Sequence, residues 1–470
     1  MTTTVGHSTR GHADNAARGL DALGYRPQLK RSMSFVDVVV YGLIYMVPMA
    51  PLAVFGVVYN FASGMVGLVY LVAATAMLFS ALSYKEMAAR YPVAGSVYSY
   101  IRLGINAYGG YLAGWAILLD YLLLPALLSV FAAVAMAGIL PGVPAWVWIV
   151  VFVGLATGVN LGGIGVTAAM NKLFLGLQLL VIAAFVVIAG CDIVAGHIAL
   201  SWRPLFDASM FSWSIVFGAV PIAALSFLGF DAIATLNEEA QGGGRTVSRA
   251  TLVVLCAATL LFVGQVYLAA LYVPEGTRFA AGSETHNAFY NIAEQAAGHG
   301  FRVLMTLTSA LIAIFANSIA SQATSARLVF SMARDRQLPS LLARVDRNHT
   351  PRNATLFIAG LSLVIGLFGS ESPEVLTTLV TFGALTAYIL LHAAVLFRFM
   401  LIERSRRWIL HGLSPIVGGA ILIYALIEAD TQAQMLGAVW MLGGVLMALV
   451  VRRRSAGMAT TNAAQRAQSG

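Results

Sequence analysis

The stretch "YMVPMAPLAVFG", residues 45–56, lies in the first long apolar segment of the chain and contains two prolines, Pro48 and Pro51. Proline removes a backbone hydrogen bond from a helix. In lipid, a polar backbone group without a partner costs several kcal/mol, so a break persists only where protein, ligand or water satisfies the freed groups. The stretch therefore predicts a helix that is broken inside a membrane-spanning segment, with a binding site at the break.

The composition around this stretch is that of an integral membrane protein. Of the 470 residues, 59% are hydrophobic and 10% are charged, and the mean hydropathy is +0.82. Soluble proteins contain about 25% charged residues. A helix needs about 20 residues to cross the hydrocarbon core of a bilayer. Twelve segments meet this requirement: 35–59, 65–88, 108–138, 144–161, 169–190, 212–237, 249–273, 303–330, 354–370, 375–399, 408–428 and 433–451.

The basic residues predict the orientation of these segments, because lysine and arginine concentrate in cytoplasmic loops. If the N-terminus is cytoplasmic, three of the 28 Lys and Arg residues fall outside (Arg203, Arg278 and Arg302) and the other 25 fall inside. This asymmetry predicts a protein of the cell membrane with both termini in the cytoplasm, as tails at 1–34 and 452–470. The net charge of +8 then reflects orientation and contact with membrane lipid, and no nucleic-acid partner is expected.

A second interruption occurs in the sixth segment, "VPIAALSFLGFDAIATLNEE", residues 220–239, which contains Pro221, Gly229 and the charged Asp231. Broken segments five places apart are typical of two inverted five-helix repeats, whose broken helices meet near mid-membrane. Proline and glycine also occur in membrane helices without a role in binding, so the prediction depends on the matching positions. It places one repeat at 35–190, the other at 212–399 and two additional helices at 408–451.

Three long stretches carry a family resemblance: "ALSYKEMAARYPVAGSVYSYIRLGIN" (81–106), "SFLGFDAIATLNEEA" (226–240) and "ARLVFSMARDRQLPSLLARVDRNHTPRNA" (326–354). They resemble the signatures of amino acid–polyamine–organocation (APC) permeases. "GWAILLDYLLLPALLS" (114–129) and "PAWVW" (144–148) are similar, more narrowly, to the bacterial putrescine importers of that superfamily. The resemblance implies an all-helical fold with twelve membrane helices, of which helices 1 and 6 are discontinuous. It also implies ion-driven import of a small amine-bearing solute.

The chain departs from the family pattern at three places. Ala53 stands where the putrescine importers carry an aspartate, which weakens the assignment of a diamine. Leu225 aligns with the aromatic residue that closes the pocket of some exchangers, which leaves Phe227 or Phe230 as the candidate lid. Residues 176–178 read Gly-Leu-Gln where some proton-driven members carry a lysine. The coupling ion, a proton or sodium, is therefore left open.

Asp120 is the candidate partner of a substrate amine. It lies roughly 18 Å along the third segment from Tyr108, close to mid-membrane, at about 1.5 Å per residue. An aspartate at that depth costs about 2.5–3.5 kcal/mol on insertion scales and needs a partner or an aqueous cavity. No lysine or arginine lies at a similar depth, so the partner is the substrate or, alternatively, water and neutral donors. The candidate binding residues are Tyr45, Val47, Pro48, Met49, Ala50, Asp120, Tyr121, Leu225, Ser226, Phe227 and Gly229.

Charged residues beyond the second break suggest coupling and gating. Asp231 follows the break in a position of low dielectric, where a carboxyl group can take up and release a proton during transport. The alternative is an ionised aspartate that caps a half-helix. Glu238 and Glu239 can pair with Arg334 and Arg336 as an inner gate, or all four can belong to solvated loops.

Motifs of catalysis and nucleotide binding are missing from the sequence. It contains no P-loop, no HExxH, no GxSxG and no metal-type cysteine spacing. We therefore expect neither enzymatic activity nor a cofactor or metal. The sequence predicts a secondary transporter for a polyamine such as putrescine or for an amino acid. The alternatives are a neutral or cationic amino acid permease or exchanger, a nutrient sensor built on a transporter fold, and a membrane-embedded enzyme. The oligomeric state is left open.

Overall fold

The computed structural model describes residues 29–139, 142–280, 283–346, 349–369, 373–427, 431 and 434–448. Of the predicted tails, residues 1–28 and 452–470 lie outside the described residues. Within the described ranges the protein is helical and contains no strand; one isolated backbone bridge joins Met33 and Ala240.

The first eight helices in chain order are α1 (Phe35–Met46), α2 (Ala50–Phe61), α3 (Val66–Arg90), α4 (Ser96–Gly104), α5 (Ala107–Ile139), α6 (Ala145–Leu161), α7 (Ile164–Val194) and α8 (Trp213–Leu225). A 3-10 turn at Phe230–Leu236 separates them from α9 (Gly244–Leu271), α10 (Ser283–Ala297), α11 (His299–Leu307), α12 (Ile314–Arg334), α13 (Arg352–Gly369), α14 (Pro373–Val395), α15 (Ser414–Ile427) and α16 (Gln434–Ala448). Single π-turns extend α11, α14 and α15 at Thr308–Ala313, Leu396–Ile402 and Ile409–Leu413.

Each of the twelve predicted membrane segments contains a helix. In the part of the chain that the structure describes, nine helices are long and apolar enough to cross a bilayer, and the bent pair α1–α2 is a tenth if it counts as one span. The helices α6 and α16 are apolar but shorter. The protein is therefore a multi-pass, all-helical membrane protein.

The first predicted break lies between α1 and α2, whose axes differ by 43°. Ser34 and Asp37 form a capping box that starts α1, which ends at Met46. Val47, the residue after the helix, adopts a φ of 53°, which is unfavourable for a β-branched residue and does not continue a right-handed helix. Pro51 lies in the first turn of α2, where its missing N–H costs no hydrogen bond. The break at residues 47–49 is thus where the two prolines predict it.

The second predicted break follows α8, which ends at Leu225. Residues 226–229 form a turn, and Gly229 has a φ of 109° that only glycine adopts readily. The chain continues as the 3-10 turn, which contains Asp231. The predicted break between residues 225 and 229 is confirmed, although Pro221 lies inside α8 rather than at the break.

The two broken segments are surrounded by long helices. On one side α9 packs along α3, and on another α12 and α14 pack against α5. The α16 helix is joined to α5 by Trp115 and Trp440, whose stacked indole N–H groups each donate to the other's backbone carbonyl at 2.8 Å. This arrangement places Asp120 of α5 in the interior, with 1% of its surface exposed.

Candidate functional site

The two breaks meet where the Tyr45 ring lies against the backbone of Gly229. A side chain at position 229 would collide with that ring. The φ of 109° at Gly229 is a second, independent reason why few other residues fit there. Tyr45 is 2% exposed and is the second-last residue of α1. Sequence separates these two residues by almost two hundred positions, and the fold brings the two helix breaks into direct contact.

Asp231 links three helical segments through its carboxyl group. Tyr121 of α5 donates its hydroxyl to Oδ2 at 2.6 Å, and Tyr388 of α14 donates to Oδ1 at 2.6 Å. All three side chains are fully buried. At 2.6 Å both contacts are at the short end of the usual range for hydrogen bonds between a hydroxyl and an oxygen acceptor. The chain just after the second break is therefore tied to α5 and to α14.

Asp120 has a different environment, although it precedes Tyr121 in the chain. Its Oδ1 is buried and has no hydrogen-bond partner among the described residues, and the same is true of the Tyr45 hydroxyl. The two groups and Asp231 are near enough to interact electrostatically. A buried carboxyl oxygen without a donor is costly unless a ligand or water completes it. The site thus combines two acidic groups with an unmet demand for hydrogen-bond donors.

Aromatic rings form one wall of this site. Phe230 packs against Tyr84 and Tyr388, with ring centroids 5.7 and 5.4 Å apart. Phe227 instead packs against Tyr70 and Phe262, at 6.1 and 5.0 Å. Of the two candidate lid residues, Phe230 is the one that contacts a tyrosine bound to Asp231. Ser226 also faces the Tyr70 side, where the two hydroxyl oxygens are 3.0 Å apart.

One backbone carbonyl freed by the first break, that of Pro48, has a partner from another helix. The carbonyl of Pro48 has lost both of its usual helical donors, because Pro51 has no N–H and the Leu52 N–H donates to Met49 at 3.1 Å. Gln265 of α9 replaces them and donates its Nε2 to the Pro48 oxygen at 3.0 Å. A side chain from another segment therefore stabilises the break that the prolines create.

Two buried ion pairs lie beyond the second break. Both carboxyl oxygens of Glu238 accept from Arg334, at 2.7 and 3.0 Å, and Oε1 also accepts from the Ala94 N–H at 2.9 Å. Both oxygens of Glu239 accept from Arg327 at 2.8 Å, and the side chains of that pair are 5% and 6% exposed. We call these four residues the ion-pair cluster.

The ion-pair cluster differs from the predicted gate in one member. Glu238, Glu239 and Arg334 are placed as expected, but Arg336 makes no ion pair within the described residues. Its φ of 60° follows the end of α12, where the chain turns away from the helix axis. Arg327 takes its place because it lies two helical turns before Arg334, on the same face of α12.

The ion-pair cluster also contacts α1 and a neighbouring cavity. Arg327 donates to the Tyr41 hydroxyl at 3.1 Å, and its guanidinium carbon lies 5.5 Å from the centre of that ring. The cavity beside it is lined by polar groups that include Lys30, Asn160, Thr167, Glu239, Arg327 and Thr350. Rearrangement of one ion pair would therefore affect both α1 and the wall of this cavity.

The structure places the predicted binding residues, together with the predicted coupling residue Asp231, in two groups. Tyr45, Asp120, Tyr121, Gly229 and Asp231 come together around the two breaks, with the backbone of residues 47–50 beside them. Ser226 and Phe227 face α3 and α9 instead, and Leu225 is partly exposed at the end of α8.

Three residues of the site were not predicted: Gln265, Arg327 and Tyr388. Gln265 and Tyr388 are polar or polar-tipped side chains inside apolar runs, and this is the sequence signal that could have identified them. Arg327 lies in the polar stretch "SQATSARLVF", residues 321–330, and its signal is a position on the same helix face as Arg334. Within the described ranges, no three His, Cys, Asp or Glu side chains are grouped to hold a metal ion.

Comparisons with known proteins match permeases and transporters over most of the chain. A family model described as amino acid permease matches residues 38–452. The chain is 29% identical over 430 residues to the low-affinity putrescine importer PlaP of Escherichia coli (strain K12), covering 90% of this chain and 93% of the importer. It is 26% identical over 414 residues to the branched-chain amino acid permease BcaP of Bacillus subtilis (strain 168), covering 82% and 85%. It is also 22% identical over 469 residues to the methylthioribose transporter of that organism, covering 93% and 96%.

Proposed function

Because the chain belongs to the amino acid permease family, we propose that it is a secondary transporter that imports a small amine-bearing solute, a polyamine such as putrescine or an amino acid. It is a multi-pass membrane transporter rather than an enzyme, as its family and its transporter relatives indicate. The observation that carries the substrate proposal is Asp120, whose buried Oδ1 lacks a donor among the described residues beside the two helix breaks. An ammonium group supplies both the positive charge and the donors that this carboxyl group needs.

The direct test of this function is uptake into proteoliposomes that contain the purified protein. Radiolabelled putrescine and leucine are offered separately, with protein-free liposomes as the control. Accumulation of either solute supports the transporter proposal. Saturable binding without uptake would indicate a sensor instead, and neither binding nor uptake would refute both proposed substrate classes.

An amino acid is the second candidate substrate, because one relative is a branched-chain amino acid permease. An amino acid has an ammonium group for Asp120 and a carboxylate that the positive end of the α2 helix dipole attracts. A diamine has no such carboxylate and fits the acidic character of the site better. Uptake of leucine without putrescine would favour the amino acid.

The transport cycle that we propose is alternating access in a twelve-segment fold. Residues 35–190 and 212–399 are two inverted repeats and residues 408–451 contribute the last two segments. The contact of two corresponding breaks, at residues 47–49 and 226–229, supports this division. In the cycle, the ion-pair cluster closes the cytoplasmic side, with Arg327 in the role that the sequence predicts for Arg336. Its opening would connect the binding residues 45–50, 120–121 and 225–229 to the polar cavity beside Glu239.

The predicted topology has a direct consequence for the chain ends. Because 25 of the 28 basic residues fall on one side of the membrane in this topology, both termini are expected in the cytoplasm. A reporter enzyme that is active only outside the membrane, fused after Gly470, is expected to give no signal. The same reporter inserted beside Arg278 in the predicted outer loop is the positive control. A strong signal from the C-terminal fusion would contradict the number of segments.

Asp231 is the proposed coupling residue, with a proton as the coupling ion and sodium as the alternative. Its carboxyl group joins the second break to α5 and α14, so a change in its charge acts on three segments at once. Asp231→Asn should retain solute exchange, since an amide can replace both hydrogen bonds when one tyrosine hydroxyl rotates. It should abolish accumulation driven by a pH gradient, measured in proteoliposomes. Asp207→Asn, which makes the same chemical change outside the site, is the control and should still accumulate solute. Accumulation by Asp231→Asn would refute the assignment.

A further inference from the structure

Gln265 is a buried amide whose two ends have unequal surroundings. It lies in α9 with 1% of its surface exposed. Its Nε2 donates to the Pro48 carbonyl at 3.0 Å, whereas its Oε1 is buried and has no partner in the part of the chain that the structure describes. Nothing in the local sequence of α9 requires an amide there, since the surrounding residues of "FVGQVYLAA" are otherwise apolar or aromatic.

The orientation of this amide follows from its neighbour. A backbone carbonyl only accepts hydrogen bonds, so the nitrogen of Gln265 must face Pro48 and the oxygen must point away. The Pro48 oxygen has no donor from its own segment, because Pro51 lacks an N–H and the Leu52 N–H is bonded to Met49. Without Gln265 this buried carbonyl would be unsatisfied, which would weaken the geometry of the break.

We propose that Gln265 is a positioning residue of the substrate site: its amide nitrogen fixes the shape of the first break, and its amide oxygen adds an acceptor beside it. The proposal rests on the proposed function, since it assumes that the solute binds at residues 47–50. A fixed Pro48 carbonyl holds the flanking backbone groups in one orientation, so that they meet the solute without a further loss of conformational entropy. The Oε1 atom suits an ammonium donor, like the Oδ1 atom of Asp120.

Two isosteric variants separate positioning from simple packing. Gln265→Met keeps the length of the side chain but neither donates nor accepts, so it should weaken solute binding about tenfold or more. Gln265→Glu donates to Pro48 only when its carboxyl group is protonated. Its affinity relative to wild type should therefore fall at alkaline pH and recover at acidic pH, whereas that of Gln265→Met should stay low throughout.

The measurement is equilibrium binding of radiolabelled putrescine, with leucine as the second probe, to purified protein in nanodiscs over a series of pH values. Wild-type protein at each pH corrects for the titratable groups that the neighbouring elements retain in every variant, namely Tyr45 on α1, Tyr70 on α3 and Asp231 on the 3-10 turn. Thermal unfolding of each variant verifies that it is folded. If Gln265→Met does not fold, the pH profile of Gln265→Glu decides alone.

The outcomes distinguish this inference from the proposed function. Wild-type protein that binds neither probe would refute the proposed function. Two results would refute the positioning role of Gln265 and leave the transport function intact, provided that wild-type protein binds a probe. One is an unchanged affinity of Gln265→Met, and the other is a pH profile of Gln265→Glu that runs parallel to that of wild type.

Discussion

Replacement of Asp120 by asparagine is expected to weaken the binding of a diamine by about 100-fold or more. Removing one partner of a buried charge pair costs about 3–5 kcal/mol, which corresponds to at least two orders of magnitude in affinity. The described residues supply no hydrogen-bond donor to Oδ1 of Asp120, which leaves this atom for the ammonium group of the solute. In the asparagine variant that ammonium group would have no counter-charge at position 120. Binding of radiolabelled putrescine to the purified protein measures the effect.

The matched control for this variant is Asp207→Asn, which makes the same chemical change at an exposed site. Asp207 lies outside the membrane segments, and its carboxyl group accepts from the Ser209 N–H and hydroxyl. Its replacement should leave affinity unchanged. Equal affinities for wild type and Asp120→Asn would remove Asp120 from the binding site. If wild type does not bind putrescine and Asp120→Asn loses the binding of leucine, Asp120 still belongs to the binding site but the substrate is an amino acid.

The positions of the helix breaks could be predicted because their causes are local. A proline that lacks an N–H and a glycine with φ of 109° act within a few residues of themselves, so Pro48, Pro51 and Gly229 indicate the breaks without knowledge of the fold. Asp120 and Asp231 could be selected for a similar reason. A carboxyl group inside an apolar segment is expensive wherever the helix packs, so its presence alone indicates a site.

The partners of these groups could not be predicted, because they depend on how helices rotate against each other. Asp231 is bound by Tyr121 and Tyr388, and the second tyrosine lies 157 positions away in the sequence. Gln265 illustrates the same limit, since the carbonyl that it satisfies belongs to a different broken segment. The distinction between Phe227 and Phe230 also required the fold. The two residues are three apart, equally buried and both packed against α3, but Phe227 also packs against α9 and Phe230 against α14.

The exchange of Arg336 for Arg327 in the ion-pair cluster has a specific cause. The sequence favours Arg336 because it is near Arg334 and lies in a charged loop, where a gate residue is accessible. In the structure α12 continues to Arg334, so the residue on the same helix face is Arg327, seven positions earlier. Arg336 lies beyond the end of the helix and does not share that face. A pairing inferred from the helix face, rather than from the nearest charge, would have identified Arg327.

Arg327→Met is expected to cause the largest loss of stability among single substitutions in the ion-pair cluster. The variant leaves Glu239 buried without a counter-charge, which costs about 3–5 kcal/mol. The double variant Arg327→Met with Glu239→Gln removes both charges and should recover most of that loss, because a buried ion pair stabilises little relative to a neutral pair of similar volume. The thermal unfolding temperature of the purified protein measures both effects.

Arg302→Met is the control for this comparison, since Arg302 pairs with Glu294 at a site where the two side chains are 36% and 35% exposed. An exposed pair contributes about 0–1 kcal/mol, so this variant should unfold close to wild type.

If Arg327→Met also unfolds like wild type, the Glu239 pair is not buried in the functional protein. If the double variant is as unstable as the single one, the loss comes from the contact of Arg327 with Tyr41 rather than from an unpaired charge. A double variant that is as stable as wild type but takes up no solute would separate the contribution of the ion pair to stability from its contribution to transport. The neutral cluster would then fold normally but fail to close the cytoplasmic side.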